Sequence, residues 1–163
     1  MFVLLAIFVA CLCYAMWSDA VTFKIPNVVS IILIATFAAF AMLQLDVMTT
    51  AQHAGVALAV FVVAFVFYAL GWMGAGDVKL IGAVSLWTGP GVVASFLIVM
   101  AMLGAGIAIV LLVVRSNGAV WRGWAGRWPV VGRLLDIAEA GKVPYGIPIG
   151  LAALWSAKDI FPL

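Results

Sequence analysis

The chain has 163 residues, of which 68% are apolar and 9% charged, with a formal net charge of +2 and a mean hydropathy of +1.32. These values exclude an ordinary soluble domain and indicate a single membrane-embedded domain over 1–163, with almost no soluble part. The small net charge carries little information, because in membrane proteins the placement of Lys and Arg matters more than their sum.

A helix needs about 20 apolar residues to cross the hydrocarbon core, and about 17 is the lower limit. Residues 1–17 give the first such run. It has no basic n-region and no A-x-A site, so it reads as a span and not as a signal peptide, although Phe8-Val9-Ala10-Cys11 faintly suggests lipoprotein processing. Cys11 and Cys13 lie inside this run with no second pair to complete a metal site, and read as lipid-facing or packing residues. Asp19 ends the segment and is followed by Lys24-Ile25-Pro26-Asn27. The second span is predicted over 27–45, and a turn with Asp46 and His53 leads to a third over 54–71. Gly74-Ala75-Gly76-Asp77-Val78-Lys79 then introduces a short fourth segment, roughly 78–88. Gly89-Pro90-Gly91 predicts a tight reversal before a fifth span over 92–114. A polar stretch over 115–143 precedes the last, 144–161. The expected fold is therefore all-α and polytopic, with six transmembrane helices of which the fourth is abbreviated.

Seven of the eight Lys and Arg residues lie at the odd-numbered loops: Lys24, Lys79, Arg115, Arg122, Arg127, Arg133 and Lys142. The positive-inside rule then puts those loops in the cytoplasm and both termini outside. Asp19 ends a helix coming in and Asp77 starts one going out, so both acids are expected at the same cytoplasmic depth. His53, Asp46 and Asp159 fall on the outer side and read as interfacial groups. Gly71, Gly82, Gly104 and Gly106 read as positions of close helix approach.

An acid at membrane depth costs several kcal/mol, so intramembrane carboxylates tend to face a cavity or a partner and to do chemistry or transport. Two carboxylates within hydrogen-bonding distance cannot both ionise easily. The charged member can take a proton from water and the neutral one can polarise a carbonyl, which hydrolyses a peptide bond without metal or covalent intermediate. Gly74 and Gly76 lack Cβ and allow close approach beside Asp77. Lys24 and Lys79 either neutralise part of this charge or mark the membrane interface, and the interface is the better reading.

In the fifth loop, Trp121, Trp124, Trp128, Val131 and Leu135 recur at spacings of three and four, with Arg122, Arg127 and Arg133 off that stripe. The pattern predicts an amphipathic segment on the anionic leaflet, broken by Gly123, Gly126, Pro129 and Gly132. It reads as an interface anchor or as a guide for a substrate helix, and so short a basic patch gives no nucleic-acid role.

Asp19 with Ile25-Pro26-Asn27, together with Gly74-Ala75-Gly76-Asp77-Val78-Lys79-Leu80, resembles the paired signature of type IV prepilin peptidases, the G-x-G-D membrane aspartic proteases. The small size is similar to the short Tad/Cpa forms linked to Flp pili, and archaeal preflagellin peptidases belong to the same wider class. The resemblance implies a hydrolase of the inner, cytoplasmic membrane that removes the basic leader from prepilins or pseudopilins at the cytoplasmic face, serving pilus assembly or secretion machinery. By motif, Asp19 and Asp77 would be the catalytic pair. Ile25, Pro26 and Asn27 would position the first acid, and Lys24, Gly74, Gly76 and Lys79 would shape the site. Pro144-Tyr145-Gly146 resembles the family's Pro/Gly segment at the last helix, and reads equally well as an ordinary helix start.

Larger relatives carry a four-cysteine zinc insertion and N-methylate the trimmed product. This chain has only Cys11 and Cys13, so neither metal nor cofactor is expected and N-methylation is not implied. A rival reading is a small proton-coupled transporter with Asp19 and Asp77 as proton carriers. It is disfavoured because no internal repeat is found and both acids lie near one face.

Overall fold

The computed structural model describes residues 2–125, 128–141 and 143–161. Among them the regular elements are all helices: α1 (Phe2–Thr22), α2 (Asn27–Gln44), α3 (Val47–Ala69), α4 (Ala75–Ser116), α5 (Gly118–Ala125), α6 (Pro129–Ala140) and α7 (Gly146–Ile160). Four of these, α1 to α4, are long and apolar enough to cross a membrane, where the sequence predicted six separate spans. Two features account for the difference. α7 has only 15 residues, about 22 Å at 1.5 Å per residue, short of a hydrocarbon core of about 30 Å. The predicted fourth and fifth segments form one 42-residue element, α4, interrupted at Gly89.

That interruption is a chain reversal. Gly89 has φ 56° and ψ −171°, a backbone region essentially reserved for glycine. Ile81 before it and Leu97 after it wall the same cleft with Val60 and Val63 of α3, so the two limbs of α4 fold back along one neighbour. Trp87 anchors the end of the first limb: its ring lies 5.5 Å from Phe8, 5.6 Å from Phe37, 5.6 Å from Phe40 and 5.3 Å from Phe161. Its indole N–H donates to the Leu33 carbonyl at 3.0 Å, giving the polar tip of a buried Trp its partner. α1, α2, α4 and α7 all converge on this ring. α3 is tied in by His53, whose Nδ1–H donates to the Leu86 carbonyl at 2.6 Å and whose ring stacks on Phe37 at 5.6 Å. His53 was expected to be an interfacial residue; it is a structural tie at the reversal.

Several boundaries differ from the predicted ones for local reasons. α3 begins at Val47 and not at residue 54, because the Asp46 side chain caps it by accepting from the Thr49 amide at 2.6 Å. That bond holds the Asp46 carboxyl below the usual carboxylate range. α1 continues to Thr22, so Asp19 lies in its last turn, and the first limb of α4 starts at Ala75, which puts Asp77 in its first turn. The 115–143 stretch contains two helices; Pro129 opens α6 and Gly141, at φ 65°, closes it. Gly126, Arg127 and Lys142 lie outside the described residues, as does the Trp124 side chain.

The α5–α6 pair packs through Trp121 and Leu135 onto Leu111 and Val114 of α4, so these two members of the predicted stripe are core, while Trp128 stays largely exposed. Arg133 donates to the Ala20 and Val21 carbonyls at 3.2 and 2.7 Å. A cation there satisfies the free carbonyls at the C-terminal end of α1. The glycines read as points of helix approach divide. A Cβ at Gly82 would meet Phe61 at 3.1 Å and one at Gly104 would meet Tyr145 at 3.5 Å, whereas Gly106 faces open space and Gly71 (φ 75°) ends α3.

A Cβ at Gly89 would run into the His53 ring, while one at Gly91 would meet nothing within 4 Å. Gly89→Ala is therefore expected to lower the melting midpoint of the detergent-purified protein by about 3 °C or more, on the scale of 1–2 kcal/mol for a left-handed L-residue. Gly91→Ala should melt as the wild type does, and equal midpoints for the two variants would contradict this account of the reversal.

Candidate active site

The helix hairpins bring Asp19 and Asp77 to the same end of the bundle, opposite Trp87. Both are buried, at 5% and 9% relative exposure, and both line one cavity of about 460 Å³. The other described clefts are predominantly apolar; this one is walled by about as much polar as apolar surface. Among the described residues, the two carboxylates are the only charged groups that line it.

Each acid is held by a backbone amide. The Gly146 N–H donates to Asp19 Oδ2 at 2.7 Å, joining the first helix to the last. The Gly74 N–H donates to Asp77 Oδ2 at 3.2 Å, a side chain in the first helical turn reaching back to the residue that precedes the helix. Neither Oδ1 has a hydrogen-bond partner among the described residues, so one oxygen of each acid is positioned and the other left for a ligand or water.

Three close backbone approaches create this geometry. A Cβ on Gly146 would lie 2.8 Å from the Asp19 Cβ, and one on Gly74 2.9 Å from Asp77 Oδ2. At Gly76 it would lie 3.1 Å from the Ile25 Cβ and 3.3 Å from the Ile25 carbonyl oxygen. The Gly76–Ile25 contact is where the two sequence motifs touch. Ile25 is buried against it, Pro26 caps α2 in extended conformation, and Asn27 starts that helix. The Ser18 hydroxyl donates to the Lys24 carbonyl at 2.8 Å, closing the turn after α1.

The remaining predicted residues lie around this centre. Tyr145 lines the cavity and Pro144 is buried next to it. Neither Lys24 nor Lys79 lines it: the Lys24 side chain is exposed, and Lys79 donates to Asn27 Oδ1 at 3.0 Å on another face of α4. Residues the sequence reading passed over complete the wall: Phe23, Trp72, Met73, Gly141 and Val143, with Gly71, which it had assigned to helix packing. Phe23 has φ 53°, a conformation that costs a non-glycine residue of order 1 kcal/mol, and no sequence signal marks it. Gly71 does carry one, a glycine directly after an apolar helical run.

What such a cavity can do is bounded by its contents. Two acids with one free oxygen each can orient a water and exchange protons with it. No group of three or more His, Cys, Asp or Glu residues able to hold a metal occurs among the described residues.

Residues 6–109, well over half of the chain, match the model of the type IV leader peptidase family. The chain belongs to that family. The matched segment contains both acids and both motifs. No match to a curated protein or to a solved structure accompanies it.

The Gly146 contact gives a prediction for leader-peptide cleavage. Gly146→Ala would force α7 away from Asp19 and is expected to lower the cleavage rate about 100-fold, while Gly106→Ala, in open space, leaves it unchanged. Timed trimming by the two variants at matched membrane levels measures the difference.

Proposed function

With membership of the type IV leader peptidase family as the premise, we propose that this chain is a membrane aspartic endopeptidase that trims prepilins or pseudopilins. The observation that carries the reading is the pair of buried carboxylates, each with one oxygen fixed by a backbone amide, facing a common polar cavity.

In this reaction the scissile carbonyl enters the cavity between the acids. One carboxylate takes a proton from water, whose oxygen attacks the carbonyl carbon. The other, carrying a proton, hydrogen-bonds the carbonyl oxygen as it becomes negative. Collapse of the tetrahedral species breaks the C–N bond, and the departing nitrogen takes a proton from the acid that first accepted one. Either Asp fits either part, and the two would titrate as a unit. Gly74 and Gly146 act by allowing their amides to come close, Gly76 by admitting Ile25, and Ile25, Pro26 and Asn27 by fixing the turn after α1. Lys24 and Lys79 mark the polar boundary of the bundle.

The two limbs of α4, with α1, α2, α3 and α7, would make six membrane passes. The first, third and fifth connections lie at the acid end, and the bias of Lys and Arg toward these connections favours a cytoplasmic site in the inner membrane with both termini outside. The substrate assigned is an Flp-type (type IVb) precursor. Leader removal without N-methylation is the activity assigned, because the sequence has only Cys11 and Cys13.

Co-expression of an Flp-type prepilin with the wild type and with Asp19→Asn and Asp77→Asn variants tests this. The wild type should release the leader, and each variant, at equal membrane abundance, should lose about 100-fold or more of that rate. Processing that survives either change would remove the dyad from the mechanism.

A further inference from the structure

The acid cavity does not end in the polar region. Met73 forms part of its wall and also part of the wall of an apolar groove of about 320 Å³ between α3 and the two limbs of α4. Ala59, Val63 and Phe67 of α3 form one side of the groove, and Leu97 and Met100 of the second limb the other. α3 is the least buried of the four long helices, and Val63 is 56% exposed.

We infer that this groove receives the apolar helix that follows the leader in the substrate, with Met73 as the sill over which the scissile segment passes to Asp77. The inference rests on the peptidase reading and adds the exosite that positions the precursor. Three observations select the groove. It shares the Met73 wall with the acid cavity, so a helix seated in it has its end beside the carboxylates. Its walls are apolar with almost no polar surface, matching a membrane helix and not its basic leader, whose charge suits a cavity with two acids. Its size is too small for a whole helix of about 10 Å diameter but fits one ridge of side chains spaced three and four apart.

The other clefts are less suited. The one beside α6 also shares wall residues with the acid cavity, Gly141 and Val143, but it is smaller, about 210 Å³, and is lined by Arg115, a poor match for an apolar helix. The one between α2 and α3 is lined by Lys79 and Asn27 and does not share a wall residue with the acid cavity. Another lies at the far end, beside Leu45 and Val47.

Val63 and Leu58 make a matched pair for testing this, since both are strongly exposed on α3 (56% and 63%) but Leu58 faces the α2 cleft. In a Cys11→Ala, Cys13→Ala, Asp19→Asn background, Val63→Cys or Leu58→Cys is co-expressed with prepilins carrying single cysteines along the apolar helix, and thiols are oxidised with copper phenanthroline. Disulfides to Val63→Cys, recurring every three to four substrate residues and absent for Leu58→Cys, are expected. Disulfides through Leu58→Cys alone, or through neither, would overturn the groove. In the otherwise native enzyme, Val63→Trp should slow trimming about tenfold and Leu58→Trp should not; wild-type rates for both would also overturn it while leaving the peptidase intact. A wild type that fails to trim any precursor would instead overturn the peptidase reading itself.

Discussion

A carboxylate inside an apolar bundle has to be given a hydrogen-bond donor, and here the donor is backbone. Asp19 takes its bond from the Gly146 amide and Asp77 from the Gly74 amide. A side-chain base would have neutralised the acids; an amide orients one oxygen and leaves the charge. Both bonds require the neighbouring residue to have no Cβ. The helix arrangement follows from this need, since α7 must run antiparallel to α1 for Gly146 to reach the last turn of α1 while Phe161 meets Phe8 at the other end.

The bundle divides its tasks by depth. At one end Trp87 gathers rings from three other helices, and His53 ties α3 to the reversal. At the other end the contacts are backbone against backbone, with glycines and a polar cavity. Aromatic packing between helices holds the frame at the end away from the acids. The acid end is braced from outside by α6, through Arg133 on the end of α1.

Much of this was legible in the sequence. The apolar runs gave α1 and α2 to within a few residues at most of their ends, the Gly89-Pro90-Gly91 reversal was read directly, and the alternation of charged loops put Asp19 and Asp77 at one end. What was not legible depends on contacts distant in sequence or on local caps. The early start of α3 hangs on one hydrogen bond from Thr49 to Asp46, and apolar counting extends no helix into Val47-Met48-Thr49-Thr50. The predicted fourth and fifth segments form one element because a glycine can reverse the chain with hardly an interruption of helical hydrogen bonding. His53 looked remote because nothing local to it says that the Leu86 carbonyl will be 2.6 Å away. The hydrophobic wall of the site, Phe23 and Met73 above all, is invisible to motif reading because apolar residues in an apolar chain carry no contrast.

The donor to Asp19 comes from the last helix, 127 residues downstream. During synthesis, Asp19 and Asp77 therefore enter the bilayer well before the residue that fixes the first of them exists. At about 5–20 residues per second, the roughly 70 residues between Asp77 and Gly146 take about 3–14 s to make. For that interval the nascent chain has no Gly146 amide to give to Asp19. The bond that holds Asp19 forms only when α7 threads back beside α1, so the order of translation makes this tie the last of the acid-end contacts to form.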